Sequence, residues 1–230
     1  IQPNHNRRVG MQSPNPELCR LYLISPPAFD LNEFSGQLSL ALKSGDVACL
    51  QLRLKGASDR AIRTASSQLI PICKDHGVAF LINDRPDLAA DVGADGVHVG
   101  ASDISCGEAR RLVGQDAIVG VSCYNSRHLA MVAGEHGADY IAFGAFFPTT
   151  TKQPQVYAKP ELLRWWHANT TLPCVAIGGI SAENCGMLVR AGADFLAVIS
   201  GIWSNPDGPG IAVSTFNEKI KIHTNAIIND

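Results

Sequence analysis

With 230 residues, 46% of them hydrophobic and 17% charged, the chain is long enough for one barrel or two small domains and has an ordinary globular composition. A net charge of −2 excludes a bulk basic surface for nucleic acid or anionic lipid, so any anion site must be local. Seven cysteines without a C-x-x-C pair argue for a reducing cytoplasm rather than a disulfide framework, the seven histidines lack the H-E-x-x-H spacing of a zinc site, and no apolar run is long enough to span a bilayer.

Residues 1–17 are polar, carry Pro3, Pro14 and Pro16, and lack the apolar core of a signal peptide, so they read as a disordered arm. Met11 lies inside this arm, and residues 1–10 can be upstream or added sequence. The folded body is expected over 18–223, with 224–230 as a C-terminal tail. Within it, short apolar runs recur at 21–25, 47–54, 78–84, 96–100, 118–123, 140–144, 174–179 and 195–200. Segments with helical spacing separate them, for example Ala61, Ala65, Leu69 and Ile72, or Leu129, Val132 and Ala133. Strict alternation predicts a parallel sheet with crossover helices, and strands apolar on both faces require helices outside and side chains inside.

The triplet Gly-Ala-Asp recurs at Gly93, Gly137 and Gly192, just before strands four, six and eight, where glycine can end a helix in the left-handed conformation. Eight units without a linker predict an α/β fold, a single (β/α)8 TIM barrel. An open doubly wound sheet would carry a G-x-G-x-x-G turn after its first strand, and this chain has Ser25-Pro26-Pro27 there.

In such barrels the chemistry sits at the carboxyl ends of the strands. Alternation along strand two sends Gln51, Arg53 and Lys55 to one face and Leu50, Leu52 and Leu54 to the other, so a fork-shaped cation, a point charge and an amide converge. They suit a phosphorylated ligand. Asn83-Asp84 ends strand three, and Asp103 lies just beyond strand four; two carboxylates on neighbouring strands could share a magnesium ion completed by substrate phosphates. Taken alone, Asp84 could instead cap the helix that opens at Arg85-Pro86, and Ser122, at the end of strand five, could cap a helix starting near Asn125 or donate to phosphate. Pro148-Thr149-Thr150-Thr151-Lys152 follows strand six on a long loop rich in phosphate donors, of the kind that covers active sites. Gly178-Gly179 and Ser200-Gly201, after strands seven and eight, stand where barrels build phosphate sites from backbone amides. Trp165 and Trp166 read as packing residues of the sixth helix.

Together Q-L-R-L-K-G, N-D-R-P-D-L-A, G-A-D-G-V-H-V-G-A-S-D, G-V-S, F-P-T-T-T-K, A-I-G-G-I and V-I-S-G-I resemble, in order and from about Leu21 to Pro209, the thiamine-phosphate synthase family. The resemblance implies a (β/α)8 transferase that joins 4-amino-2-methyl-5-(diphosphooxymethyl)pyrimidine to 4-methyl-5-(2-phosphooxyethyl)thiazole, releasing pyrophosphate. It implies that Gln51, Arg53, Lys55, Asn83, Ser122 and Lys152 bind the pyrimidine diphosphate, and that Asp84 and Asp103 hold Mg2+. Thr149, Thr151, Gly179, Ile199 and Ser200 would line the thiazole-phosphate side, and Arg53, Lys55, Lys152 and Ser122 would carry catalysis. The implied reaction is dissociative and needs little acid or base help, so the lack of a recognisable Ser/His or Cys/His pair is no objection.

The chain departs from the family pattern at Ala101-Ser102, where Gln-Glu is common, and at Tyr124, where histidine is common. The alternatives are a thiazole tautomerase-like paralogue and a non-catalytic binder of thiamine precursors. Expected partners are the two small molecules in a cytoplasmic setting, with neither nucleic acid nor membrane; a homo-oligomer is compatible with the sequence.

Overall fold

The pleat of each strand sends one row of side chains inward and the next outward, and in this chain both rows are apolar. The computed structural model describes residues 19–100, 103–149 and 156–228. Eight strands, β1 (Arg20–Ile24), β2 (Val47–Leu52), β3 (Ala79–Asn83), β4 (Gly96–Val99), β5 (Ile118–Tyr124), β6 (Tyr140–Gly144), β7 (Cys174–Ile177) and β8 (Phe195–Val198), close into a parallel barrel in sequence order. The helices are α1 (Leu31–Lys43), α2 (Asp59–Asp75), α3 (Pro86–Val92), α4 (Cys106–Val113), α5 (Arg127–Glu135), α6 (Pro160–Asn169), α7 (Gly186–Val189), α8 (Ser200–Trp203) and α9 (Pro209–Ile228). The expected (β/α)8 barrel is therefore the fold. The boundary expected at residue 223 falls inside α9, where Thr224 is buried. Residues 1–17 lie outside the described residues.

Two buried clusters reproduce the alternation. Tyr22, Ile24, Cys49, Leu81, Tyr140, Ala142, Val175, Phe195 and Ala197 fill the barrel, while Leu21, Leu50, Phe80, Val97, Val119, Ile141 and Leu196 pack outward against the helices. Gly120 makes space for the inner Tyr140, whose ring a Cβ there would strike, and Gly96 lets β4 lie close against the Ile118 backbone of β5. No helix among the described residues is long and apolar enough to cross a membrane.

The Gly-Ala-Asp echo has a structural meaning that its glycines alone did not reveal. Gly93, Gly137 and Gly192 all adopt positive φ, and the aspartate that follows pins the amino end of the preceding strand through a reciprocal pair of bonds. Asp95 N–H donates to Phe80 O (2.9 Å) while its Oδ2 accepts from Phe80 N (2.8 Å). Asp139 does the same with Val119 (2.8 and 2.8 Å), and Asp194 with Cys174 (3.1 and 2.8 Å). Between β1 and β2 the work falls to Arg20, 7% exposed, whose guanidinium forks onto Asp46 at 2.7 and 2.6 Å.

Several strands stop earlier than the sequence runs predict. β2 ends at Leu52 because the next amide leaves the ladder: Arg53 N–H donates to Ser25 Oγ at 2.9 Å. β7 ends at Ile177 and β8 at Val198, so Gly178, Gly179, Ile199 and Ser200 belong to the loops of the rim. The pins at the opposite end carry a test. Asp139→Ala strands the Val119 amide and takes from the buried Arg110 its carboxylate partner, leaving it only backbone carbonyls, and should lower stability by about 3 kcal/mol in urea unfolding. Asp91→Ala, which breaks only an exposed ion pair with Arg63, should cost far less.

Candidate active site

The amide and charged side chains of the candidate site gather at the carboxyl ends of β2, β3 and β4. Gln51 points inward from β2 and is 2% exposed, yet its Nε2 finds no hydrogen-bond partner among the described residues. An amide buried without a partner costs about 1–3 kcal/mol, so its orientation toward the mouth calls for a reason. Arg53 sits just past the strand end, half-buried, and Lys55 follows on the exposed turn that Gly56 makes at φ +71. Burial pulls the Arg53 pKa down, and the charge of Asp84 pulls it back up.

Asn83 closes β3, and Asp84 takes the left-handed conformation (φ 63), uncommon outside glycine, with its amide donating to His98 O on the neighbouring strand at 2.8 Å. This backbone turn directs the Asp84 side chain to Asp103. The Asp84 pKa is raised by burial first and then by the neighbouring carboxyl of Asp103, while Asn83 and Arg53 oppose the rise. Asp103 is itself fixed across a tight turn, its Oδ2 accepting from Gly100 N at 2.9 Å and its amide donating to Gly100 O at 3.1 Å. The turn needs glycine: a Cβ on Gly100 would fall 2.5 Å from Asp103 Oδ2. The capping alternative fails for Asp84, because Arg85 holds the N-cap position of α3 with no side-chain cap bond. Arg85 is instead occupied by Asp59 (2.8 Å) and Asp87 (2.6 Å).

Ser122 is not a helix cap either; Ser126 caps α5, through Leu129 N. Its Oγ lies 2.9 Å from His98 Nε2, and His98 Nδ1 lies 2.9 Å from the Tyr140 hydroxyl, itself 2.8 Å from the Tyr22 hydroxyl. Sequence reading recognised no Ser/His pair; the barrel contains one, made across β4 and β5. The available signal was the G-V-H-V strand, whose parity turns His98 inward between outward Val97 and Val99. His98 is 9% exposed, and burial pushes its pKa down to about 4 against the pull of Asp103, so the imidazole is neutral at pH 7.

On the other side of the mouth, Thr149 is half-buried, Ile199 packs at the edge of the inner cluster and Ser200 is exposed at the start of α8. Gly179 has φ 64, and a Cβ there would lie 2.3 Å from Pro148 O, so the glycine lets the loop after β6 close down on the one after β7. Thr151 and Lys152 lie outside the described residues, as do Ala101, Ser102 and Thr150. Trp166 is buried against Phe143, and Trp165 stacks under the Arg127 guanidinium at 4.3 Å, so both tryptophans pack, as expected.

Among the described residues no group of three or more His, Cys, Asp or Glu could hold a metal. The Asp84/Asp103 pair offers hard oxygen ligands only, and too few to complete a coordination shell. That suits an ion which takes its remaining ligands from water and phosphate.

Known proteins resemble this chain over nearly all of the barrel. A family model described as thiamine monophosphate synthase matches residues 21–202. The thiamine-phosphate synthase of Rhodospirillum centenum is 61% identical over 203 residues, covering 88% of this chain and 98% of that protein. The thiamine-phosphate synthase of Hyphomonas neptunium is 51% identical, over 86% and 92% of the two chains. Among solved structures, thiamine phosphate pyrophosphorylase from Pyrococcus furiosus superposes with a TM-score of 0.78 at 29% identity, over 90% of this chain and 98% of its own. These likenesses favour a synthase over a tautomerase-like or purely sensory protein.

The orphaned amide gives a direct test. Gln51→Met fills the same volume without a polar group, and should raise stability by about 1–2 kcal/mol in urea unfolding while lowering turnover roughly tenfold or more. Unchanged stability with full activity would mean that Gln51 has no ligand to meet.

Proposed function

Because the chain belongs to the thiamine monophosphate synthase family and has the function of a thiamine-phosphate synthase, a transferase, we propose a division of labour around its rim. The pyrimidine diphosphate is bound by Gln51, Arg53, Lys55, Asn83 and Ser122, together with Lys152. The thiazole phosphate lies against Thr149, Thr151, Gly179, Ile199 and Ser200. The protein is cytoplasmic and needs Mg2+, held by Asp84 and Asp103.

The observation that carries this reading is the placement of Asp84 and Asp103 just past the carboxyl ends of the adjacent strands β3 and β4, Asp84 tied to the His98 carbonyl and Asp103 to the Gly100 amide. A half-buried carboxyl next to a second one, as Asp84 is, resists ionisation, and a divalent cation removes that conflict. When bound, magnesium would neutralise oxygens of the diphosphate and so make it a better leaving group. Arg53 and Lys55 would add fixed positive charge where negative charge builds as the carbon–oxygen bond to the diphosphate breaks. Ser122 and Asn83 would hold the diphosphate by hydrogen bonds. The second phosphate site would keep the thiazole nitrogen within reach of the methylene carbon, converting an encounter between two molecules into a step within one complex. The neutral His98, enclosed between Ser122 and Tyr140, has no part as an exchanging base in this scheme.

The decisive assay supplies both precursors with and without magnesium and measures pyrophosphate. Release should require the metal, and Asp84→Ala should abolish it, about a thousandfold or more, while leaving the circular dichroism spectrum intact. Full activity of that variant, or release unaffected by a chelator, would remove Asp84 from the metal site. Lys152→Ala should cut turnover far more than it weakens thiazole-phosphate binding, whereas equal losses would put Lys152 elsewhere.

A further inference from the structure

Four side chains form an unbroken line from the middle of the barrel to its mouth. Tyr22 OH and Tyr140 OH are 2.8 Å apart, Tyr140 OH and His98 Nδ1 2.9 Å, and His98 Nε2 and Ser122 Oγ 2.9 Å. The first three are buried, and only Ser122 is half open to the rim. Burial holds both phenols well above their ordinary pKa, so each keeps its hydrogen, and the imidazole, buried with a hydroxyl rather than a carboxylate on each nitrogen, shares one hydrogen between the two.

Such a chain has just two self-consistent directions. In one, Tyr22 donates to Tyr140, Tyr140 to Nδ1 and Nε2–H to Ser122, which leaves the serine hydrogen free at the mouth. In the other, Ser122 donates to Nε2, Nδ1–H to Tyr140 and Tyr140 to Tyr22, which leaves the Tyr22 hydrogen deep in the barrel within the apolar inner cluster, where the neighbouring Cys49 of β2 offers at most a weak sulfur acceptor. Buried donors without a good acceptor are costly, and a surplus hydrogen at the mouth costs nothing when it meets water or an anion. The geometry points to the first direction: Tyr22, Tyr140 and His98 are positioning residues that present Ser122 as an obligate hydrogen-bond donor to an anionic ligand oxygen.

This deepens the function proposed above and rests on it for the identity of that ligand, a diphosphate. It also reverses the usual meaning of a Ser/His pair. With its proton on Nε2 the imidazole cannot take the serine proton, so Ser122 is not a nucleophile, and the barrel should not form an acyl- or phosphoryl-serine.

The direction is measurable without substrate. In protein labelled with 15N-histidine, the His98 signals, identified by their loss in His98→Gln, should show a protonated Nε2 and a bare Nδ1 at pH 7. Tyr140→Phe removes the hydrogen that Nδ1 accepts, so the bare Nδ1 signal should move downfield, toward that of a ring nitrogen without a hydrogen bond, while Nε2, with Ser122 as its acceptor, keeps the proton. Tyr22→Phe should leave both signals nearly in place; if Tyr140→Phe does not fold, a proton found on Nδ1 in Tyr22→Phe still decides against the relay. A parent protein protonated at Nδ1, or an Nδ1 signal indifferent to Tyr140→Phe, overturns the proposal whatever the reaction turns out to be. In the pyrophosphate assay, Tyr140→Phe should lower kcat roughly tenfold and Ser122→Ala more, with the double variant no slower than Ser122→Ala; multiplying losses contradict a relay acting through Ser122. If neither parent nor variant releases pyrophosphate, the reaction assignment fails, and the tautomer result stands on its own.

Discussion

Two carboxyls that repel one another, on the ends of adjacent strands, hold the key to the rim. Asp84 reaches Asp103 because its backbone adopts a left-handed turn secured by the His98 carbonyl, and Asp103 reaches back because Gly100 leaves room for its own tight turn. Left to themselves such groups would separate or share a proton. The surrounding structure holds them in place, and burial first, then the charge of Asp103, raise the Asp84 pKa. Arg85, a cation one residue away, is tied up by Asp59 and Asp87 and does not relieve it. The remedy the geometry invites is a divalent ion with a phosphorylated ligand.

His98 links this acidic corner to the rest of the mouth. Its carbonyl accepts from the Asp84 amide, and its imidazole sits between Ser122 and Tyr140. One residue of β4 thereby sets the position of a carboxylate and the direction of a hydroxyl. The glycines around it are part of the same arrangement: Gly120 makes room for the Tyr140 ring, which brings the phenol within reach of the imidazole. Precision at the rim is thus bought by close packing below it.

Periodicity made most of this legible in the sequence. Strand count, closure and the inward parity of Gln51 and Arg53 follow from alternation, and the pairing of Asp84 with Asp103 follows once strands three and four are neighbours. What stayed hidden depends on contacts between residues far apart in the chain. His98 and Ser122 are 24 positions apart and meet only because β4 and β5 align His98 with Gly120. The early end of β2 depends on a hydroxyl supplied by Ser25, which no local pattern in β2 announces. Likewise the aspartates of the Gly-Ala-Asp echo look like turn residues until the strands they pin are in place.

The most direct test of the account is a crystal structure grown with manganese, standing in for magnesium, and the pyrimidine diphosphate or inorganic pyrophosphate. Anomalous scattering should reveal a manganese ion bound by both Asp84 and Asp103 at about 2.1 Å, with diphosphate oxygens completing its shell. An ion bound elsewhere, or the two carboxyls turned apart with diphosphate seated and no metal between them, would contradict it.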